Sequence, residues 1–95
     1  MTKIEFEWDE KKAQLNFEKH KVSFEESITI FNDPLVATMS DPDHSYDEQR
    51  YITLGQSVKG RILIISYAER QSRTRIISCR KATSREQKAY EEGIF

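Results

Sequence analysis

The stretch from Arg61 to Arg80 constrains the fold more than any other part of the chain. Arg61–Glu69 and Arg73–Arg80 are both rich in β-branched and apolar residues, and Gln71-Ser72 sits at the turn between them. Strands joined so tightly must pair antiparallel as a hairpin, because a parallel partner needs a crossover of a dozen residues or more. Upstream, Leu35–Met39 and Arg50–Leu54 read as two further strands. Asp41-Pro42-Asp43-His44-Ser45 makes the turn between those two, since Asp and Ser bond their own backbone and proline fixes φ. Gly55 and Gly60 punctuate the connection to Arg61.

Consecutive strands need a cover, and the flanking segments predict one. Ile4-Glu5-Phe6-Glu7-Trp8 alternates apolar and acidic residues, the pattern of a short half-buried strand. Asp9 then caps a helix running to about His20, in which Ala13, Asn16, Phe17 and His20 share one face. Ser23-Phe24-Glu25-Glu26 has the capping-box spacing and opens a helix with Phe24, Ile28 and Phe31 on one stripe. Asn32-Asp33-Pro34 stops that helix. Thr83-Ser84-Arg85-Glu86 is a second capping box, opening a final helix that Gly93 ends. The predicted order is β-α-α-β-β-β-β-α, an α+β domain on an antiparallel sheet.

At 95 residues the chain makes a single domain over 1–95, with one modest core and no room for a separate cofactor domain. No cofactor is expected. Cys79, the one cysteine, cannot form an internal disulfide, which suits a reducing compartment. The N-terminus is polar where a secretion signal would be apolar, and Ile62–Ala68 is the longest apolar run, so a cytoplasmic protein with no membrane partner is expected. The net charge of −1 hides an asymmetry. Residues 1–50 carry 6 Lys/Arg against 12 Asp/Glu, whereas residues 51–95 carry 9 against 4. A basic half can attract phosphate and an acidic half a basic partner, although both can equally be ordinary solvated faces.

Several elements recur in the order of one family. Trp8-Asp9, Lys12, Asn16, Lys19-His20 and Val22-Ser23-Phe24-Glu25-Glu26 resemble the opening of BrnT-type toxins. So do Asp41-Pro42-Asp43-His44-Ser45 with Glu48, Arg50 and Gly55, and Arg75-Ile76-Ile77-Ser78-Cys79-Arg80 with Ala82, Thr83, Glu86 and Tyr90. The resemblance spans residues 6 to 93. It implies a RelE-like fold, RNA cleavage that inhibits growth, and neutralisation by a BrnA-like antitoxin with a ribbon-helix-helix DNA-binding domain, in a toxin–antitoxin hetero-oligomer. At Lys21 the family pattern has glycine, so either the turn differs here or a lysine takes a left-handed conformation.

Metal-independent RNA cleavage needs a base for the 2′-OH proton, an acid for the leaving 5′ oxygen and cations for the phosphorane charge. Arginine suits the last task, because its planar fork can hold two phosphate oxygens. Arg75 and Arg80 stand inside an apolar strand, where an unpartnered charge is costly, and so are candidate catalytic residues. Strict alternation, however, puts them on opposite sides of the sheet unless a bulge or the strand end redirects Arg80. Arg70 and Arg73 face each other at the hairpin tip, as RNA-binding groups or as solubility charges. Lys19, Arg61, Lys81 and Arg85 complete the candidate RNA-binding set. His20 is the acid–base candidate, with the alternative of a helix-end histidine packed beside Phe17. Glu86 and Tyr90 share a face of the last helix as further catalytic candidates, the first with a rival capping role and the second with a rival packing role. Trp8 and Tyr67 read as core.

Two rival readings remain open on sequence. One is a protein-binding module or degenerate toxin without catalysis. The other is a metal-dependent hydrolase built on Asp41, Asp43, His44 and Asp47, although that turn lacks the glycine and distal glutamate of a calcium loop.

Overall fold

The computed structural model describes residues 4–41 and 48–93. The hairpin forms where the residue types demand it: β4 (Ile62–Arg70) and β5 (Arg73–Lys81) run antiparallel, and Gln71 takes a left-handed φ of 54° at the turn. β3 (Gln49–Gln56) pairs antiparallel with β4, and β2 (Ala37–Ser40) pairs antiparallel with β3. The Pro42–Asp47 part of the Asp/His turn lies outside the described residues. Gly55 turns out to be inside β3 and not in the connection. A Cβ there would lie 3.1 Å from Ile30 Cβ, so glycine lets the segment above the sheet approach the strand.

The sheet is mixed, which corrects the expected antiparallel one. β1 (Glu5–Glu7) adds to the edge of β5 in parallel, giving the order β1-β5-β4-β3-β2. Tight turns force antiparallel pairing only between chain neighbours. The long path from β1 to β5 imposes no such constraint.

α1 (Glu10–His20) begins at Asp9, whose carboxylate accepts the backbone N–H groups of Lys11 and Lys12 at 2.8 and 3.2 Å. It ends on Lys21, which occupies the left-handed region at φ 60° and donates its N–H to Phe17 O at 2.8 Å. The turn keeps the geometry a glycine would take, and the lysine carries a cost of roughly 1–2 kcal/mol for it. The second predicted helix is short. A single turn, α2 (Phe24–Ser27), passes directly into a 3₁₀ turn over Ile28–Asn32. Ser23 caps α2 by accepting the Glu26 N–H at 3.0 Å, but the Glu26 carboxylate does not reach back, so only half of the expected box is present. α3 (Ser84–Glu92) has both halves of its box, Thr83 with Glu86, and ends at Gly93 with φ 70°.

The core lies on one face of the sheet. Leu63, Ile65 and Tyr67 of β4 and Ile76 and Cys79 of β5 pack against Val22, Phe24 and Ile30, all buried. Phe31 meets Tyr67 edge-on at 5.4 Å between centroids, and Trp8 meets Phe24 the same way at 5.8 Å. Trp8 and Tyr67 are thus core residues as read from sequence, with the Trp8 Nε1–H donated to Glu10 at 3.0 Å. Phe17 is the exception on the expected face of α1, at 51% exposure.

Candidate active site

The second face of the sheet is where the chemistry gathers, and a single irregularity puts it there. β4 and β5 keep register from Arg70↔Arg73 to Tyr67↔Ile76, then shift, so that Ser66 pairs with Ser78 and Ile64 with Arg80. Ile77 is the extra residue of a β-bulge. The shift flips the alternation, so Arg75 and Arg80 share the face opposite the core although their positions differ in parity. Without the bulge Arg80 would point among the core side chains.

β1 covers only Arg73–Arg75 of β5, which leaves the backbone of the later residues open at the edge. α1 closes it with Asn16. The Asn16 side-chain amide donates to Cys79 O at 2.9 Å and to Val22 O at 3.1 Å, and its Oδ1 accepts the Cys79 N–H at 3.1 Å. The buried amide thus stands in for a missing strand. It also fixes the end of α1 beside β5, and His20 at that end lines a cleft of about 270 Å³ on the second face. Ile52, Ile64, Ser66, Ser78 and Arg80 are among the other lining residues.

Arg80 is held by the start of α3. Its Nη1 donates to Glu86 Oε1 at 2.8 Å and to Lys81 O at 3.2 Å, and its Nη2 donates to Glu86 Oε2 at 3.0 Å. Those bonds use the end of the guanidinium and three of its five N–H donors, leaving the Nε–H and the second Nη2 hydrogen along one edge. That edge is the one that grips an oxyanion side-on. Glu86 also accepts the Thr83 N–H at 2.8 Å. The Arg80 hydrogen bond, with the backbone bond from Thr83, holds the Glu86 carboxyl down at about 2 despite partial burial. The ion pair stabilises the docked helix above the ordinary carboxylate range and weakens as the pH falls through that value. The amide signals of Thr83 and Glu86 are therefore expected to keep their folded positions at pH 4 and to move only as pH approaches about 2. Loss of those positions between pH 5 and 4 would contradict the pairing.

Other candidates are engaged elsewhere. Arg75 shares the face, but its Nη1 donates to Glu7 at 3.0 Å and it does not line the cleft. Arg70 donates to Glu48 at 3.0 Å, and Arg73 lies 3.6 Å from Glu5 and 3.8 Å from Glu7. The acidic and basic halves of the sequence thus meet around the hairpin tip and largely cancel there. Tyr90 donates its hydroxyl to Asp33, at the far end of α3, and burial pushes the phenol up to about 12. Lys19, Lys81 and Arg85 are exposed, with no ion pair among the described residues. Burial pushes the Cys79 thiol up to about 11, so it stays protonated beneath the sheet.

Arg61 is the residue whose place differs most from expectation. Its guanidinium grips Glu26 through Nε at 2.9 Å and through Nη2, and Nη2 also donates to Lys21 O at 3.2 Å. Glu26 has 3% side-chain exposure and accepts the Ser57 hydroxyl at 2.8 Å as well. The Arg61 bond keeps its carboxyl below the usual range against the effect of burial. Arg61 therefore reaches the backbone just beyond His20. The sequence assigns Glu26 a capping role that Arg61 takes over, and it singles out neither Ser66 nor Ser78 as a site residue.

The fold is that of a small ribonuclease toxin of known structure. The crystal structure of the Brucella abortus ribonuclease toxin, BrnT, matches with a TM-score of 0.63 and 21% identity, covering 86% of this chain and 100% of that one. The family described as "Ribonuclease toxin, BrnT, of type II toxin-antitoxin system" matches residues 8–86. The chain belongs to that family. No curated protein sequence matches it significantly.

Proposed function

We propose that this toxin is a metal-independent endoribonuclease with RelE-like architecture whose centre is the cleft between His20 and Arg80. The convergence of these two side chains on one cleft carries the reading. In this mechanism the His20 imidazole takes the proton from a ribose 2′-OH, and the 2′ oxygen attacks the adjacent phosphorus. The bond to the 5′ oxygen breaks, the imidazolium returns the proton to it, and the products are a 2′,3′-cyclic phosphate and a 5′-hydroxyl. Arg80 stabilises the phosphorane through its free edge. Glu86, ionised at neutral pH, is a positioning residue for that guanidinium and not a general acid. Tyr90, tied to Asp33, supports the far end of α3. Lys19, Lys81 and Arg85, neighbours in sequence of the three site residues, supply phosphate contacts along the strand.

RNA cleavage is expected to proceed at full rate in EDTA, because a histidine and an arginine can carry both the proton and the charge. The check is RNA integrity on a gel after incubation with purified protein. Loss of cleavage in chelator, restored by a divalent ion, would favour the hydrolase reading of the Asp41/His44 turn. The partner in this reading is a BrnA-like antitoxin with a ribbon-helix-helix DNA-binding domain. It covers the cleft face in a cytoplasmic hetero-oligomer, since the tip arginines Arg70 and Arg73 already pair with Glu48, Glu5 and Glu7 and offer it little.

A further inference from the structure

Building on the ribonuclease reading, we propose that the cleft is a subsite for a single unstacked nucleobase, lying on Ile52 and Ile64 and read at its edge by the hydroxyls of Ser66 and Ser78. The register lays two rows across the second face. Ile52, Ser66 and Ser78 form one, and Leu54, Ile64 and Arg80 form the next. Serine is a weak choice in the middle of a strand, where β-branched and aromatic residues pack better. Here two serines stand directly opposite each other in the central pair of the sheet, and they do so only because the bulge at Ile77 brings Ser78 into register with Ser66. Neither hydroxyl has a hydrogen-bond partner among the described residues. Each can donate and accept, which is what the mixed edge of a base requires.

The surroundings match one base better than a phosphate. Half-buried isoleucines offer an apolar floor, which suits the flat face of a base and does nothing for an anion. The positive charge of Arg80 and the imidazole of His20 are also among the lining residues, suited to the backbone of the same nucleotide. A volume of about 270 Å³, just below the roughly 300–1,000 Å³ typical of sites for drug-sized ligands, suits a ligand the size of one base. Sequence-specific proteins read single-stranded RNA in this way, by splaying out a base and bonding its exposed edge.

The test maps cleavage positions on an RNA of mixed sequence. Wild-type protein is expected to cut beside one base in preference. In the double variant Ser66→Ala/Ser78→Ala that preference falls by about tenfold or more, because cleavage beside the preferred base drops more than cleavage beside the others. Ser78→Val, which places a better strand former at the site and so folds at least as well, lowers kcat/KM beside the preferred base by filling the cleft. A wild-type protein without base preference, or an unchanged preference in both folded variants, overturns the subsite. A second measurement needs no cleavage. In ¹H–¹⁵N spectra one of the four nucleoside monophosphates shifts Ile64, Ser66 and Ser78 at lower concentration than the rest, and ribose 5-phosphate does not. Equal shifts from ribose 5-phosphate would show a phosphate site and overturn the proposal. Failure of the wild type to cut RNA would sink the ribonuclease reading by itself, and the nucleotide titration would still decide the subsite.

Discussion

Replacing Arg80 by alanine is expected to lower RNA cleavage by a factor of hundreds while leaving the domain folded. The magnitude follows from the role: one preorganised cationic contact to a developing oxyanion is worth about 3–4 kcal/mol. The fold survives because of what remains at the start of α3. Glu86 keeps 23% side-chain exposure and still accepts the Thr83 N–H at 2.8 Å, so its carboxylate is not stranded without a partner or water. Arg80→Lys keeps the charge but cannot span Glu86 and a phosphate at once, and should fall between the two. His20→Ala should lose a comparable factor, and the double variant little more than either single one, because the two groups act on the same step. Circular dichroism with cleavage assays on the same preparations separates the outcomes. A well-folded Arg80→Ala protein cutting RNA at the wild-type rate would refute the role. An unfolded one would show that Arg80 serves the fold, and Glu86→Gln would then be equally unfolded.

What could be read from sequence was local. Asp9, Thr83 with Glu86, and Gly93 act within one helical turn of themselves, and the structure uses each as its residue type suggests. The hairpin at Gln71-Ser72 was legible for the same reason. The candidate site was not local. The bulge at Ile77 sits in a run, Ile76-Ile77-Ser78, that gives no turn or glycine signal, yet it decides which face carries Arg80. The partner of Arg75 is Glu7, 68 positions away, so the apparent unpartnered charge in an apolar strand was paired across the sheet. Ser23-x-x-Glu26 shows the ambiguity most clearly. The spacing permits a closed capping box, but the partly exposed Arg61 competes for the buried carboxylate and wins, because a paired charge gains more than a neutral backbone N–H can offer.

That competition leads to the largest expected effect on stability. Arg61→Met should destabilise the domain by about 3–5 kcal/mol, since it strands a carboxylate of 3% side-chain exposure with only the Ser57 hydroxyl and Lys59 at 3.9 Å. Against a total of about 5–15 kcal/mol this is a large fraction. Removing the charge as well should return much of it. Glu26→Gln/Arg61→Met is expected to be more stable than Arg61→Met alone, because a neutral amide costs far less to bury than a carboxylate. The pH dependence gives the argument a sign. In the native protein Arg61 holds the Glu26 carboxyl below its ordinary value, so the pair contributes stability above that range and loses it as pH falls. Once Arg61 is gone, burial raises the same carboxyl, so protonation relieves the penalty and the deficit should shrink on acidification. Urea unfolding of the three proteins at pH 7 and pH 5 measures this directly. A deficit that stayed constant or grew at pH 5 would mean that the loss comes from the missing bond to Lys21 O and not from a stranded charge at Glu26. In that case the variant's defect would fall on His20, held at the end of the same turn, and cleavage would drop further than stability.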